Sequence, residues 1–387
     1  MPQGYNPPIS LRATTTEKMS DDLNIIAAEI KHRATELGFD LVGIAPGGPS
    51  AYGDYFRRWL SDGRAGTMDY LAARLAERID PAVYLPGCKS VICVAMNYFV
   101  PLESGGNSQR NPMVGISGEE PPPHPSPGIP GEAVSARLPP ENTAAQSHGR
   151  IARYALGEDY HEIIKPRLHK LADWLKEISP QSDTRCAVDT APVMEKELAA
   201  RAGVGWLGKN TCIINPRIGS WLLLGEVLTT LELPCDEPAA DHCGTCTRCL
   251  DACPTQAITS PYKLDATKCI SYLTIEHRGE LPNQPAIGDW LYGCDICQDV
   301  CPFNRRAPAT GEARFAPRFP TGTIDLNELQ AWSDEEYRTR LRGSAMKRVK
   351  LPMLKRNGAR IALNPPGAKK NEAGGSESPA SLRGPES

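Results

Sequence analysis

No apolar run in the 387-residue chain approaches the roughly eighteen residues of a membrane-spanning helix, and the opening stretch from Met1 to Ser20 is polar, without the apolar centre of a leader peptide. Neither membrane insertion nor export is expected, so a cytoplasmic protein with no membrane attachment is predicted. An excess of basic charge is missing too. The 43 Lys and Arg stand against 46 Asp and Glu, a formal net charge of −3. This argues against a chain that is basic throughout while leaving room for local basic patches. Otherwise the composition is that of a globular protein: 40% of residues are hydrophobic, enough for real cores, and the length suits two or three domains.

Cysteine, in contrast, is plentiful at thirteen residues. In a reducing compartment disulfides do not persist, so clustered cysteines point to metal or catalysis. Cys243, Cys246, Cys249 and Cys253 form C-x2-C-x2-C-x3-C followed by Pro254, the bacterial ferredoxin run, in which the fourth cysteine serves the other cluster of a pair. Cys294-x2-Cys297-x3-Cys301-Pro302 repeats the ending of that run without its first cysteine, and the isolated Cys269 can fill the gap. The spacing therefore predicts two 4Fe-4S clusters, one held by Cys243, Cys246, Cys249 and Cys301, the other by Cys253, Cys269, Cys294 and Cys297. Zinc is the competing reading, but it normally takes two separated C-x2-C pairs and leaves the repeated C-P endings unexplained. Cys88, Cys93, Cys186, Cys212 and Cys235 stand singly and are expected to be inert thiols. Two clusters make an electron wire, and neither performs bond chemistry on an organic substrate unaided.

Elsewhere, Leu23, Ile26, Ala27, Ile30 and Leu37 recur at helical spacing up to Gly38, and a short strand follows over 39–45. Apolar runs at 90–96, 186–189, 212–214 and 221–224 read as further strands, with helices at about 160–178 and 191–203. An α/β or α+β body is implied. The Pro-, Gly- and Ser-rich stretches 101–148 and 365–387 cannot bury enough apolar surface to order themselves and are expected to be disordered, as are residues 1–20. The run Gly203-Val-Gly-Trp-Leu-Gly-Lys-Asn-Thr211 contains G-x-G-x-x-G, yet a helix precedes it and a strand follows, the reverse of a phosphate loop. Nucleotide binding is not expected there.

Asp189-Thr-Ala-Pro-Val-Met-Glu195, Gly205-Trp-Leu-Gly-Lys-Asn-Thr211, Gly219-Ser-Trp221, Gly225-Glu226 and the two cysteine runs together resemble the epoxyqueuosine reductase family. Met68-Asp-Tyr-Leu71, Arg78-Ile-Asp-Pro81, Arg153-Tyr154, Asp159-Tyr-His161 and Arg356-Asn357 extend the resemblance over roughly 21–100, 149–305 and 339–363. It implies an α+β protein: a reductive-dehalogenase-like, cobalamin-binding α/β domain over 21–235, a ferredoxin-like two-cluster domain over 236–310, and a short helical C-terminal segment over 311–364. The implied reaction is the last step of queuosine synthesis, in which the epoxide on a modified tRNA wobble base takes up two electrons and two protons and becomes an alkene. Cobalamin would supply low-valent cobalt, recharged through the clusters by a low-potential electron donor, in a monomer.

Asp189 matches the proton donor proposed for the family. A carboxyl in that role needs a pKa raised by burial, whereas local sequence also allows Asp189 to cap the helix opening near Pro192, which would lower it. A corrin presents a wide apolar face fringed with amides. Asn210, Thr211, Ile213, Ser220, Leu224 and Val227 suit its floor and Arg78, Arg153 and Tyr154 its rim, with core or scaffold duty as the alternative for each. No His-bearing corrinoid motif stands out to name the lower cobalt ligand. Between Arg338 and Arg360 lie nine basic residues and no acidic one, making Lys347, Arg348, Lys350, Lys355 and Arg356 candidates for tRNA phosphates, or else for a solvated helix face. Family members that continue into C-terminal helical repeats would grip tRNA at more points than this chain, which runs into a Pro/Gly/Ser tail. Two other readings share the cysteines: a corrinoid reductase of a small halogenated or epoxide substrate, and a non-catalytic electron carrier.

Overall fold

The structure is a computed structural model that describes residues 16–102, 147–282 and 286–363. Its strands, numbered in chain order, are β1 Leu41–Pro46, β2 Ser90–Asn97, β3 His148–Ile151, β4 Thr184–Ala187, β5 Trp206–Leu207, β6 Ile213–Ile214, β7 Leu222–Thr229, β8 Ile258–Ser260, β9 Lys263–Leu264, β10 Trp290–Tyr292 and β11 Thr323–Asp325. The main sheet has the order β1-β2-β7-β4, with every pair antiparallel. β2 is buried at every position, as its unbroken apolar sequence demands of a central strand covered on both sides.

Alternation sorts its side chains. Ile92, Val94 and Met96 meet the helices Thr16–Glu36 and Tyr160–Ile178 through Ile26, Ile30, Ile164 and Leu168. Val91, Cys93 and Ala95 face the helix Glu195–Arg201 through Leu198 and Ala199. That short helix comes so close to β1 that a Cβ on Gly43 would lie 1.9 Å from the Ala202 carbonyl oxygen.

A second core joins the parts of the chain that sequence separates. The sheet β10-β3-β11 packs with the helices Ile270–Ile275 and Leu351–Leu363 around Trp290, Leu291, Tyr292, Leu329 and Leu354. Ile151, Ala152, Ala155 and Leu156 belong to this core, so it runs across the boundary expected at 235/236. The C-terminal segment expected to be helical also contributes strand β11. The first helix begins at Thr16, inside the stretch expected to be disordered. Of the expected insertion, residues 103–146 lie outside the described residues, and His148 at its end opens β3. The tail 365–387 also lies outside them. Among the described residues no helix is long and apolar enough to cross a membrane.

Asn357 ties the last helix down. Fully buried, it donates from Nδ2 to the carbonyls of Thr274 at 2.9 Å and Leu291 at 3.0 Å. Asn357→Ala should leave both carbonyls unpaired, at a cost of about 1–3 kcal/mol for each. Hydrogen exchange should show amide protection falling across 351–363 while the main sheet keeps its own; unchanged protection would contradict this role.

Candidate active site and cysteine array

The two cysteine runs form similar turns. Cys246 N–H donates to the Cys243 carbonyl at 3.0 Å, and Cys301 N–H to that of Gln298 at 3.0 Å. Cys249 has Cys246, Cys243 and Cys301 as its charged neighbours. Cys297 has Cys294 and Cys269, and Cys269 has Cys253. The thiols thus gather as Cys243, Cys246, Cys249 and Cys301 in one group and Cys253, Cys269, Cys294 and Cys297 in the other, the crossed arrangement that the spacing predicts. Among the described residues no three His, Cys, Asp or Glu side chains close on a point that could hold a single metal ion, whereas the ligands of a cubane sit on four separate irons.

A ninth cysteine joins the second group. Cys212 hydrogen-bonds Cys297, and that bond, stronger than the opposing effect of burial, brings its thiol down to about 7. Cys212 was expected to be inert because it stands alone in an apolar run. Its neighbour was hidden 85 residues away in sequence, although the adjoining Asn210 and Thr211 were already candidates for the site.

The contacts around Cys294–Cys301 dock the array on the rest of the molecule. Arg153 N–H donates to Asp295 at 2.8 Å, and its guanidinium lies 2.6 Å from Asp299 and 4.8 Å from the Trp221 ring centre. Asn304 Oδ1 accepts from Ser220 N at 2.7 Å, and its Nδ2 donates to Ser220 Oγ at 2.8 Å. Gly219 makes this approach possible: φ is +76°, and a Cβ would stand 2.2 Å from Asn304 Oδ1.

Asp189 sits beyond β4 in a left-handed conformation, φ +48°. It does not cap the following helix, whose N-cap is Met194. Instead Oδ2 faces His161 Nε2 at 3.5 Å, and His161 Nδ1 reaches Asp159 at 2.8 Å. Asp159 caps the Tyr160–Ile178 helix and so positions that ring. Burial pulls His161 downward, but its hydrogen bond to Asp159 and the Asp189 carboxylate facing Nε2 outweigh it and raise the imidazole to about 9. For Asp189, burial acts upward, yet the neighbouring His161 ring and Tyr160 hydroxyl hold the carboxyl below its usual range. The raised pKa expected of Asp189 is therefore corrected: with its side chain 57% exposed and a cation beside it, the carboxylate is ionised and the proton resides on His161. Behind the loop, Glu195 accepts the Asp189 backbone N–H. A cleft of about 590 Å³ opens beside it, lined by His161, Thr190, Arg74 and Cys186.

The positions suited to a corrin divide. Arg78 approaches Asp189 and Glu195, and its Nε, like that of Arg153, is buried without a hydrogen-bond partner among the described residues. Thr211 is held at φ +64° by Lys196, which donates to its carbonyl at 2.9 Å. Leu224 is only partly buried. Two orphan guanidinium nitrogens and the partly exposed Leu224 side chain are donors and apolar surface of the kind that suits a ligand apolar at its centre and rimmed with amides. Asn210, Ile213, Ser220 and Tyr154 are occupied with protein: Asn210 with the Cys297 carbonyl and the Cys212 N–H, Ile213 with a core, Ser220 with Asn304, and Tyr154 with Tyr160 and Tyr292. Val227 is fully enclosed in the core on the opposite face of β7 from Leu224 and offers no surface to a ligand, so its assignment is corrected.

In the basic run, Lys347, Arg348 and Lys350 are exposed, and Lys355 is partly so. Arg348 pairs with Glu276 through both nitrogens and lies 5.7 Å from the Tyr70 ring centre, close enough to act on Asp189. Arg356 is a correction: its guanidinium is spent on the carbonyls of Leu273, His277 and Gly279 and on Asn357, a structural tie.

Together the fold and the cysteines define an iron–sulfur oxidoreductase, with a two-cluster segment docked on an α+β body. The model of a 4Fe-4S double cluster binding domain matches residues 242–304, and that described as epoxyqueuosine reductase QueG, DUF1730 matches residues 133–190. The epoxyqueuosine reductase of Pseudomonas aeruginosa is 39% identical over 87% of this chain and 86% of its own length; that of Gloeobacter violaceus is 42% identical over 88% and 97%. A crystal structure of epoxyqueuosine reductase with an epoxyqueuosine-modified tRNA-Tyr stem loop superposes with a TM-score of 0.73 at 28% identity, covering 88% of this chain and 81% of that one. The chain belongs to the epoxyqueuosine reductase family.

Because His161 is raised above its ordinary 6.5, its contribution to stability is complete below that value and is lost as pH rises through about 9. The difference in thermal midpoint between the protein and its His161→Gln variant should accordingly close as pH climbs past 9. A difference that persists or widens would contradict the ion pair.

Proposed function

We propose that this chain reduces the epoxide of epoxyqueuosine at the tRNA wobble position to the alkene of queuosine, using cobalamin fed by two 4Fe-4S clusters. The observation that carries the proposal is the Asp189–His161 pair, 3.5 Å apart, in a chain of this family whose cysteines gather into two groups. Cobalamin would lie against Arg78, Thr211 and Leu224 and, when bound, would supply low-potential cobalt chemistry able to collect single electrons and deliver two. The eight cysteines of the two groups are the proposed cluster ligands.

The protein's own part is the proton. Expelling an epoxide oxygen as alkoxide is costly, so an acid must meet it. At rest Asp189 is an ionised acceptor. A bound base and corrin would strip water from its exposed side, which disfavours the carboxylate and draws the proton from His161 Nε2 onto Asp189 Oδ2. Tyr160 and the Asp159-held imidazole keep that carboxyl aimed, while its left-handed backbone is stabilised by Glu195. A structure of the Bacillus subtilis family member has its catalytic aspartate loop swung out of the active site; an equivalent movement of the 188–194 loop would carry Asp189 away from His161 between turnovers.

Lys347, Arg348, Lys350 and Lys355 are the proposed tRNA phosphate contacts, with Tyr70 beside Arg348 a surface on which a base can stack. The low-potential donor, a monomeric state and a cytoplasmic location complete the proposal.

The protein loaded anaerobically with cobalamin and clusters, given a strong reductant and epoxyqueuosine-bearing tRNA, should release queuosine on nucleoside digestion; no product with intact clusters would sink the assignment. Asp189→Asn should lower kcat by ~10²–10⁴-fold, the range of a general acid, with clusters and cobalamin retained. A normal rate in that variant would remove the acid role.

A further inference from the structure

The main sheet carries a carboxyl group that the core does not need. On β7, Leu222, Leu224, Glu226 and Leu228 share one face, and Glu226 lies between Cys93 of β2 and Ala187 of β4. That face is the apolar one covered by the Glu195–Arg201 helix. Glu226 is 0% exposed, and neither of its carboxyl oxygens has a hydrogen-bond partner among the described residues. An ionised carboxylate in such a place is costly, and a neutral one adds nothing to packing that Leu would not add better.

Its surroundings indicate a use. The charged groups acting on Glu226 are Glu195 on the covering helix and Asp189 on the loop, with the Cys93 thiol beside it on β2. Glu195 in turn faces Asp189, Lys196 on its own helix, and Arg78 on the Leu75–Ile79 helix, while Tyr160 on the Tyr160–Ile178 helix faces both Glu195 and Asp189. Three carboxyls therefore run in series from the sheet to the cleft, Glu226, Glu195 and Asp189, the last two joined through the Asp189 N–H. Burial, reinforced by the charge of Asp189, lifts Glu195 to about 8, and burial carries Glu226 well above the carboxylate range.

Reducing an epoxide to an alkene consumes two electrons and two protons and releases one water. The Asp189–His161 pair holds one proton. We propose that Glu195, partly buried and with the fully buried Glu226 behind it on the sheet, stores the second proton and returns it to Asp189 within the same turnover. This inference rests on the reductase reading. The first proton goes from Asp189 to the epoxide oxygen as the first C–O bond breaks. The second passes from Glu195 through Asp189 to the resulting hydroxyl, which leaves as water as the second C–O bond breaks and the C=C bond forms; the reduced holoenzyme provides both electrons. Glu195 and Glu226 act through Asp189 and are positioning residues in this scheme.

Infrared difference spectroscopy of the resting holoenzyme, without tRNA, reads protonated carboxyls directly. The protein should show such a band at neutral pH, with part of it titrating near 8; Glu226→Gln should remove the component that does not titrate, and Glu195→Gln the one that does. In turnover, both variants should keep cluster content, cobalamin and KM while kcat falls by ~10²-fold, and Glu195→Gln should lose the inflection near pH 8. No protonated-carboxyl band in the unaltered protein, or variants with unchanged kcat and pH profile, would overturn the proposal; the spectrum of the unaltered protein decides even if a variant does not fold. A band present in a protein that never converts the tRNA epoxide would refute the reductase reading and leave the protonated carboxyls standing.

Discussion

Everything in this molecule is arranged around a crossing: Cys301 lies with Cys243, Cys246 and Cys249, while Cys253 lies with Cys269, Cys294 and Cys297. Two runs about fifty residues apart must therefore interleave, and neither can form its group without the other. The same segment carries Asp295, Gln298 and Asn304, which hold Arg153 and Ser220 of the preceding body. The crossing that gathers the thiols is thus also what fastens the electron-carrying segment to the sheet.

From there a short path leads to Asp189. Cys212 touches Cys297, its neighbour Thr211 is held by Lys196, and Glu195 next to that lysine holds the backbone of Asp189. Along this path the electrostatics change character. Near Asp189 a cation and a hydroxyl keep the carboxylate ionised, while behind it burial, reinforced by the charge of Asp189, raises Glu195, and burial without a hydrogen-bond partner raises Glu226. Carboxyl groups with pKa values driven apart by their surroundings are how one site can hold an acceptor and a donor at the same pH.

Much of this was legible in the sequence because it is local. Cubane ligation constrains spacing, so the C-x2-C-x2-C-x3-C-P run and its shortened repeat disclosed the grouping, and Cys269 was found by elimination. β2 was visible as an apolar run because a central strand is buried on both faces, whereas only the first residues of β7 were, since Gly225 and Glu226 interrupt its apolar sequence. β3 was not, since His-Gly-Arg-Ile gains its place only through partners more than a hundred residues downstream. The same limit concealed Cys212 beside Cys297. Residue type misled where geometry decides: Val227 suits a corrin floor but points into the core, Arg356 suits a phosphate but serves three carbonyls, and Asp189 suits a raised pKa until His161 is placed next to it.

The crossed grouping is the claim on which the electron path to Asp189 stands, and it can be read spectroscopically without substrate. Electron paramagnetic resonance of the reduced, reconstituted protein resolves the two clusters. Cys301→Ala should erase the same signal as Cys243→Ala, and Cys253→Ala the same signal as Cys269→Ala. If Cys301→Ala instead matched Cys294→Ala, and Cys253→Ala matched Cys243→Ala, each run would serve its own cluster and the account would be contradicted.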